Sequence, residues 1–398
     1  MIGDWKSHYA RFRAGHEGWL HLCAHSHHYW PDVTREAQLE AWDDAARRSD
    51  RKWDRVLGEL LPEVQRGIAS RLGVPHSERI TFASNTHELL VRLLSCFEGR
   101  PVRVLSTDGE FHSFRRQAAR LAETGGIELV TVSQFPRESF ATRFLAAAES
   151  RDFDVVFTSH VFFDSGGALP DADRLLAKLK SRAKMLVLDV YHSFLSRPFS
   201  LATLADDVFV VGGGYKYLQA GEGACFLYAP PKADALRPAN TGWYAHFASL
   251  GARPATRTEY GDGAWRFWGS TFDPTALYRL RRTLAFLDEQ GLTAERVHAH
   301  SIALQEASLA RLRTLRATPD WLAPVVDAIP RIVAAPERGN FLGFPLAPGE
   351  ARKVQAELEA RRILCDSREN ERGSFLRWGF GLYHDATDVA DLERRLSV

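Results

Sequence analysis

The chain has 398 residues, 45% hydrophobic and 25% charged, which is the balance of a folded globular protein and too long for one ordinary core, so a large domain with a smaller companion is expected. Fifty-one basic against fifty acidic residues leave a formal charge of +1, with no field to attract polyanions, so nucleic acid is not an expected partner. The opening Met1-Ile-Gly-Asp-Trp-Lys-Ser-His8 lacks the apolar stretch of a signal peptide and nothing later reaches membrane-spanning length, so no membrane partner and a cytoplasmic location are expected.

From Val33 to Leu72 the apolar residues recur at helical spacing (Val56, Leu60, Val64, Ile68), which predicts two helices. Short apolar runs then alternate with amphipathic ones. The runs are Ile80–Ala83, Val102–Leu105, Ile127–Val132, Val155–Thr158, Met185–Asp189 and Val208–Val211. Between them lie helical patterns at Leu89–Phe97, Phe114–Leu121, Phe140–Ala148 and Ala172–Leu179. Strands this apolar, separated by helices, predict an α/β domain with a mainly parallel sheet covered on both faces, spanning 33–284.

Helical spacing returns in Leu277–Leu287 and Val297–Leu312, followed by a mixed segment. A helix over Ala351–Arg361, strands near Ile363–Cys365 and Phe375–Arg377, and a last helix after Asp385 complete the chain. These predict a small α+β domain formed by 285–398 together with 1–32. The four cysteines, Cys23, Cys96, Cys225 and Cys365, lie far apart, which reads as reduced thiols rather than a zinc module or a disulfide scaffold.

Asp189 ends the most apolar strand, and ligands of open parallel sheets bind at the carboxyl ends of strands. By default such a carboxylate is solvated or caps a helix. Lys216, however, follows the next apolar strand in the glycine-flanked turn Gly212-Gly-Gly-Tyr-Lys-Tyr-Leu-Gln-Ala-Gly-Glu-Gly223, so both groups are placed to face one crevice. An amine and a carboxylate are what a pyridoxal cofactor needs: the amine carries its aldehyde, and the anion keeps the pyridine nitrogen protonated.

The flanking sequences resemble those of the kynureninases, fold-type I pyridoxal-phosphate enzymes of aminotransferase class V. The turn Gly214-Tyr-Lys-Tyr-Leu-Gln-Ala-Gly221 is similar to the family's lysine motif, and Asp189-Val-Tyr-His192-Ser to its Asp-Leu-Ala-His-Ser. Thr241-Gly-Trp-Tyr-Ala-His246 resembles Gly-Trp-Phe-Gly-His, and Leu376-Arg-Trp-Gly-Phe-Gly-Leu-Tyr383 resembles the closing Arg-Phe-Gly-Phe-x-Pro-Leu-Tyr. The four motifs occur in the family's order.

The resemblance implies pyridoxal 5'-phosphate as cofactor, with Lys216 as its Schiff-base lysine, Asp189 paired with the pyridine nitrogen and His192 near the ring. It gives Tyr215 a phosphate contact and a part in proton transfer, and assigns Asn85, Thr86 and Ser113 to the cofactor site with Phe111 stacked on the ring. Asn85 and Thr86 also stand at a predicted helix amino terminus, a general anion site. Trp243 and Thr271 match positions that reach the phosphate across a subunit boundary, so a homodimer with shared active sites is expected. Arg377 matches the arginine that holds the substrate carboxylate, for which a guanidinium fork is suited, while Arg368 and Arg372 are expected to be solvated.

The implied reaction, a step of tryptophan catabolism, is hydrolytic Cβ–Cγ cleavage of kynurenine or its 3-hydroxy form to alanine and an anthranilate. Two departures from the pattern bear on the amino-acid substrate. Phe111-His-Ser-Phe114 has no acidic residue where the family reads Phe-Pro-Ser/Thr-Asp, and His25-Ser26-His27-His28 replaces Asn-Ser-Leu-Gly. On a strand His21, Cys23, His25 and His27 would share one face. A polar substrate pocket using His25, Ser26 or His27 is the expected use, with solvent exposure as the alternative, and no metal is expected.

A cysteine desulfurase of the same superfamily would need a cysteine in the loop Ser367–Gly373, which has none. A class V aminotransferase and a carbon–sulfur β-lyase remain alternatives, since they differ in where protons and leaving groups go. A non-catalytic binding protein is a further alternative, against which the intact Lys216, Asp189 and Arg377 argue.

Overall fold

The structure is a computed structural model that describes residues 3–97, 99–249, 256–370 and 373–397. Among these residues the strands are β1 (Leu20–His21), β2 (Ile80–Ala83), β3 (Val102–Thr107), β4 (Ile127–Val132), β5 (Phe153–Ser159) and β6 (Ala183–Asp189). They continue with β7 (Val208–Gly212), β8 (Cys225–Tyr228), β9 (Phe341–Leu346), β10 (Ile363–Leu364), β11 (Asp366–Asn370) and β12 (Gly373–Gly379).

Seven strands form one sheet in the order β2-β8-β7-β6-β5-β3-β4, and only β8 runs against the others. Every residue of β5 and β7 is buried, as expected of strands covered on both faces, whereas β4 at the edge exposes Glu128, Leu129 and Thr131. Helices Thr86–Leu94, His112–Glu123, Phe140–Glu149 and Ala172–Leu179 join successive strands. This is the predicted α/β architecture. The expected helix pair over 33–72 is Val33–Arg48 followed by an almost continuous rod, Lys52–Leu72, with one wider turn at Val56–Leu60.

Four strands escaped the sequence pattern. β1 has two residues, β11 (Asp-Ser-Arg-Glu-Asn) has no apolar one, β8 is a short run just after the glycine-rich turn, and β9 contains Gly343 and Pro345, which argue against a strand. Proline is tolerated because β9 is an edge strand of the sheet β11-β12-β9. The glycine is required by close packing, since a Cβ at Gly343 would lie 2.7 Å from the Ser165 carbonyl oxygen.

The amino-terminal segment is built into this region. β1 pairs in parallel with β10, Leu20 opposite Ile363, and Cys23 bridges to Gly379. The last helix, Ala386–Leu396, starts in a capping box between Asp385 and Asp388. Among the described residues no helix is long and apolar enough to cross a membrane.

Candidate active site

Apart from the reversed β8, all strands of the main sheet run the same way, so their carboxyl ends share one edge. There Ser84, Asn85 and Thr86 follow β2, Phe111 and Ser113 follow β3, Ser159 ends β5, Asp189 ends β6 and Tyr215–Lys216 follow β7. With Phe163, Tyr191, His192 and Cys225 they line a cavity of about 200 Å³. A broader open groove of about 1350 Å³ along helix His112–Glu123 shares His87 and Ser113 with it. That groove touches neither Lys216 nor Asp189, so the smaller cavity is where the chemistry is concentrated.

Lys216 is buried, and its Nζ lies 2.6 Å from His192 Nε2. Rings surround the same nitrogen, with centroids at 4.7 Å (Tyr191), 5.3 Å (Phe111) and 5.8 Å (Tyr215). Burial pulls the lysine's pKa down, with Asp189 opposing. The same burial raises the Asp189 carboxyl, against the Tyr191 N–H that donates to its Oδ1 at 2.8 Å and against Lys216. His192 also loses basicity through burial and the nearby amine, and its Nδ1 is buried without a partner among the described residues. Tyr215 stacks on His27 at 5.1 Å, and burial pushes its phenol up to about 12, so it stays protonated.

These features fit a planar aromatic aldehyde that bears a phosphate. The amine and carboxylate stand in one cavity, aromatic faces border it, and the unpartnered His192 nitrogen awaits a polar group. Helix Thr86–Leu94 begins at the cavity wall, where the Asn85 side chain caps it by accepting from the Glu88 N–H at 2.9 Å.

Arg377 and His25 lie beside the cavity and are joined through Asp366. Arg377 Nε donates to Asp366 Oδ1 at 2.8 Å, Nη2 donates to Oδ2, and Nη1 donates to the Phe163 carbonyl. His25 Nε2 lies 2.9 Å from Asp366 Oδ1. Burial brings His25 down to about 4. Burial alone would raise Asp366, but His25 and Arg377 outweigh it and hold the carboxyl far below its usual range.

Sequence reasoning passed over Asp366. The only available signal is a hairpin folding that segment back on the Arg377 strand, whereas the comparison with the desulfurases makes residues 367–373 the counterpart of a loop. The structure pairs Asp366–Asn370 of β11 with Gly373–Arg377 of β12, Asp366 directly opposite Arg377. Arg368 is likewise half-buried rather than solvated, because Asp366 attracts it at 3.1 Å. Arg372 lies outside the described residues.

Other expected residues are not in the cavity. Ser26 is half-buried, with its Oγ 3.5 Å from His27 Nδ1. Trp243, 42% exposed, and the exposed Thr271 line no part of the cavity within this chain. The alternating histidines do not share a strand face, because β1 ends at His21 and a turn follows. His21 meets Tyr383, His25 meets Asp366 and His27 meets Tyr215. Phe114, in place of the family's acid, stacks on Phe157 at 4.1 Å within the core and does not border the cofactor cavity.

A mainly parallel sheet whose strand ends hold this lysine, carboxylate and ring-lined cavity defines a fold-type I pyridoxal-phosphate enzyme. The chain belongs to the aminotransferase class-V family, whose sequence model matches residues 32–392. Pyridoxal 5'-phosphate is its cofactor, and the chain is kynureninase-like.

It is 28% identical to a kynureninase of Deinococcus radiodurans over 344 residues, 84% of this chain and 75% of that one. It is 29% identical to an isopenicillin N epimerase of Streptomyces clavuligerus over 40% of this chain and 41% of the relative. A Xanthomonas euvesicatoria kynureninase is 28% identical over 50% of this chain, and the match covers less than half of that relative's length. Among solved structures, the C-DES protein with glycine covalently linked to its pyridoxal-phosphate cofactor superposes with a TM-score of 0.79 at 18% identity, over 99% of both chains. A cysteine desulfurase from Thermococcus onnurineus gives 0.75, also at 18% identity, covering 95% of this chain and 94% of that one.

Proposed function

We propose that the enzyme hydrolyses the Cβ–Cγ bond of kynurenine, 3-hydroxykynurenine or a related aryl-keto amino acid, releasing alanine. The observation that carries this reading is the flat wall of Tyr215 stacked on His27 beside the Lys216 amine, a surface suited to an aryl group. The long match to the Deinococcus kynureninase supports it.

Pyridoxal phosphate, when bound, supplies the electron sink for charge developing at the substrate α-carbon. Asn85, Thr86 and Ser113, which line the cavity, would hold it, and the Asp189 carboxylate would keep its pyridine nitrogen protonated. Arg377, its fork steadied by Asp366, binds the substrate carboxylate. Lys216, its pKa lowered by burial, takes the α-proton as a general base. Water then adds to the γ-carbonyl and the Cβ–Cγ bond breaks, the acyl carbon leaving as the aryl carboxylic acid. The Tyr215 phenol delivers a proton to Cβ and regains one from the water, and Lys216 returns its proton to the α-carbon, which completes alanine.

We also propose a homodimer in which Trp243 and Thr271 complete the partner's site. The exposed rings of Trp243 and Phe247, 5.3 Å apart, are the support for this.

Incubation with kynurenine and 3-hydroxykynurenine should yield anthranilate fluorescence and stoichiometric alanine. A keto acid from another amino acid, without anthranilate, would replace this reading with transamination. Pyruvate and sulfide from a thiol amino acid would replace it with carbon–sulfur lysis. A protein that binds the cofactor but turns over no amino acid would be a binding protein instead.

A further inference from the structure

Tyr191 lies between the two groups that define the cofactor site. Its backbone N–H donates to Asp189 Oδ1 at 2.8 Å, and its ring centroid is 4.7 Å from Lys216 Nζ. A pyridine held by the amine at one end and facing the carboxylate at the other must therefore pass this residue.

The tyrosine ring is closely held. It is 8% exposed, its hydroxyl lies 3.5 Å from Cys225 Sγ, and its centroid is 5.0 Å from that of Tyr215. The backbone is shaped to admit it. A Cβ at Gly213 would lie 2.3 Å from Tyr191 Cζ and 2.4 Å from its Oη, a distance at which one of them must move. The glycine three residues before the lysine is thus a vacancy that the tyrosine fills.

We propose that Tyr191 is a cofactor-contacting residue, whose ring packs against the pyridine while its N–H orients the Asp189 carboxylate, and that Gly213 is small so that the ring fits. The electron-rich face of a tyrosine attracts a cationic ring, so it favours the protonated pyridine that Asp189 also favours. Phe111, whose ring centroid is 5.3 Å from Lys216 Nζ, supplies a second aromatic contact. The inference rests on the cofactor and not on the substrate, so it stands whichever amino acid is turned over.

The test is cofactor affinity, measured by equilibrium dialysis of apoprotein against pyridoxal phosphate, with the visible circular dichroism of the bound chromophore as a second readout. Tyr191→Phe keeps the ring and is expected within about twofold of the parent. Tyr191→Leu keeps most of the volume without the π face, and is expected to weaken binding about tenfold and diminish the dichroism. Gly213→Ala, which displaces the ring while retaining the tyrosine, should reproduce that loss and decides the matter if the leucine variant does not fold. Parental affinity and dichroism in a folded Tyr191→Leu protein, or in Gly213→Ala where the leucine variant is unfolded, overturn the proposal.

Discussion

Asp366 and Arg377 stand opposite one another on antiparallel β11 and β12, and their side chains meet as a two-point ion pair beside the cavity. Since Arg377 is 2% exposed and the Asp366 side chain 13%, neither charge is compensated by bulk water. Removing the carboxylate leaves a buried guanidinium short of a partner. Asp366→Ala should cost about 3–5 kcal/mol of stability, read from denaturant midpoints. The milder Asp366→Asn should raise KM about tenfold with a smaller change in kcat if Arg377 positions the substrate carboxylate as proposed, because it loosens that guanidinium.

The same pair sets behaviour in acid. The Asp366 carboxyl is depressed in the folded state, so its contribution is fully present above the unfolded value of about 3.9 and is lost as pH falls through the lowered one. Stability of Asp366→Asn should differ most from the parent near neutrality, and the gap should close in strong acid.

Glu110 behaves in the opposite sense. It is fully buried, with its oxygens on the Ser159 N–H and the Thr107 and Ser159 hydroxyls, and burial pushes its carboxyl up to about 8. The folded state therefore binds a proton that the unfolded state has released, and stability falls as pH rises from about 4.5 to about 8. Glu110→Gln should be flatter over this window. Its advantage over the parent should appear at pH 9 and vanish near pH 5 in parallel thermal melts.

The lowered Lys216 pKa bears on cofactor capture, because only the neutral amine attacks an aldehyde. Apoprotein should regain its chromophore at a rate that holds to lower pH than a solvent-exposed lysine would allow, falling as pH drops through the depressed value. Lys216→Ala should show no such chromophore and lose activity about a thousandfold or more. Reconstitution followed by stopped-flow absorbance checks both expectations.

If Trp243 and Thr271 complete the neighbouring subunit's site, two defective proteins should rescue one another. Mixing Lys216→Ala with Trp243→Ala under subunit exchange should restore activity that neither has alone, because some mixed dimers contain one intact site. Sites confined to single chains would give no recovery, and sedimentation would show whether dimers formed.

The sheet was readable because its information is local. Runs such as Val208–Val211 have no polar residue to turn outward, so they specify strands buried on both sides wherever they sit. The Asp189 and Lys216 motifs were readable for a related reason. Each hugs a strand end, and a parallel sheet brings strand ends to one edge. β9 was obscured by Gly343 and Pro345, whose fitness depends on an edge position and a close neighbour that local pattern does not contain.

What the sequence by itself determined is therefore the α/β class and the nearness of Lys216, Asp189 and His192, which line one cavity. Tertiary structure alone decided that Asp366 braces Arg377, that Tyr191 fills the space Gly213 leaves, that His25 and His27 part company, and that Phe114 belongs to the core. Strand and helix periods are set by the backbone over a few residues. A side chain's partner and pKa depend on groups brought close from distant parts of the chain, and on the water that their packing excludes.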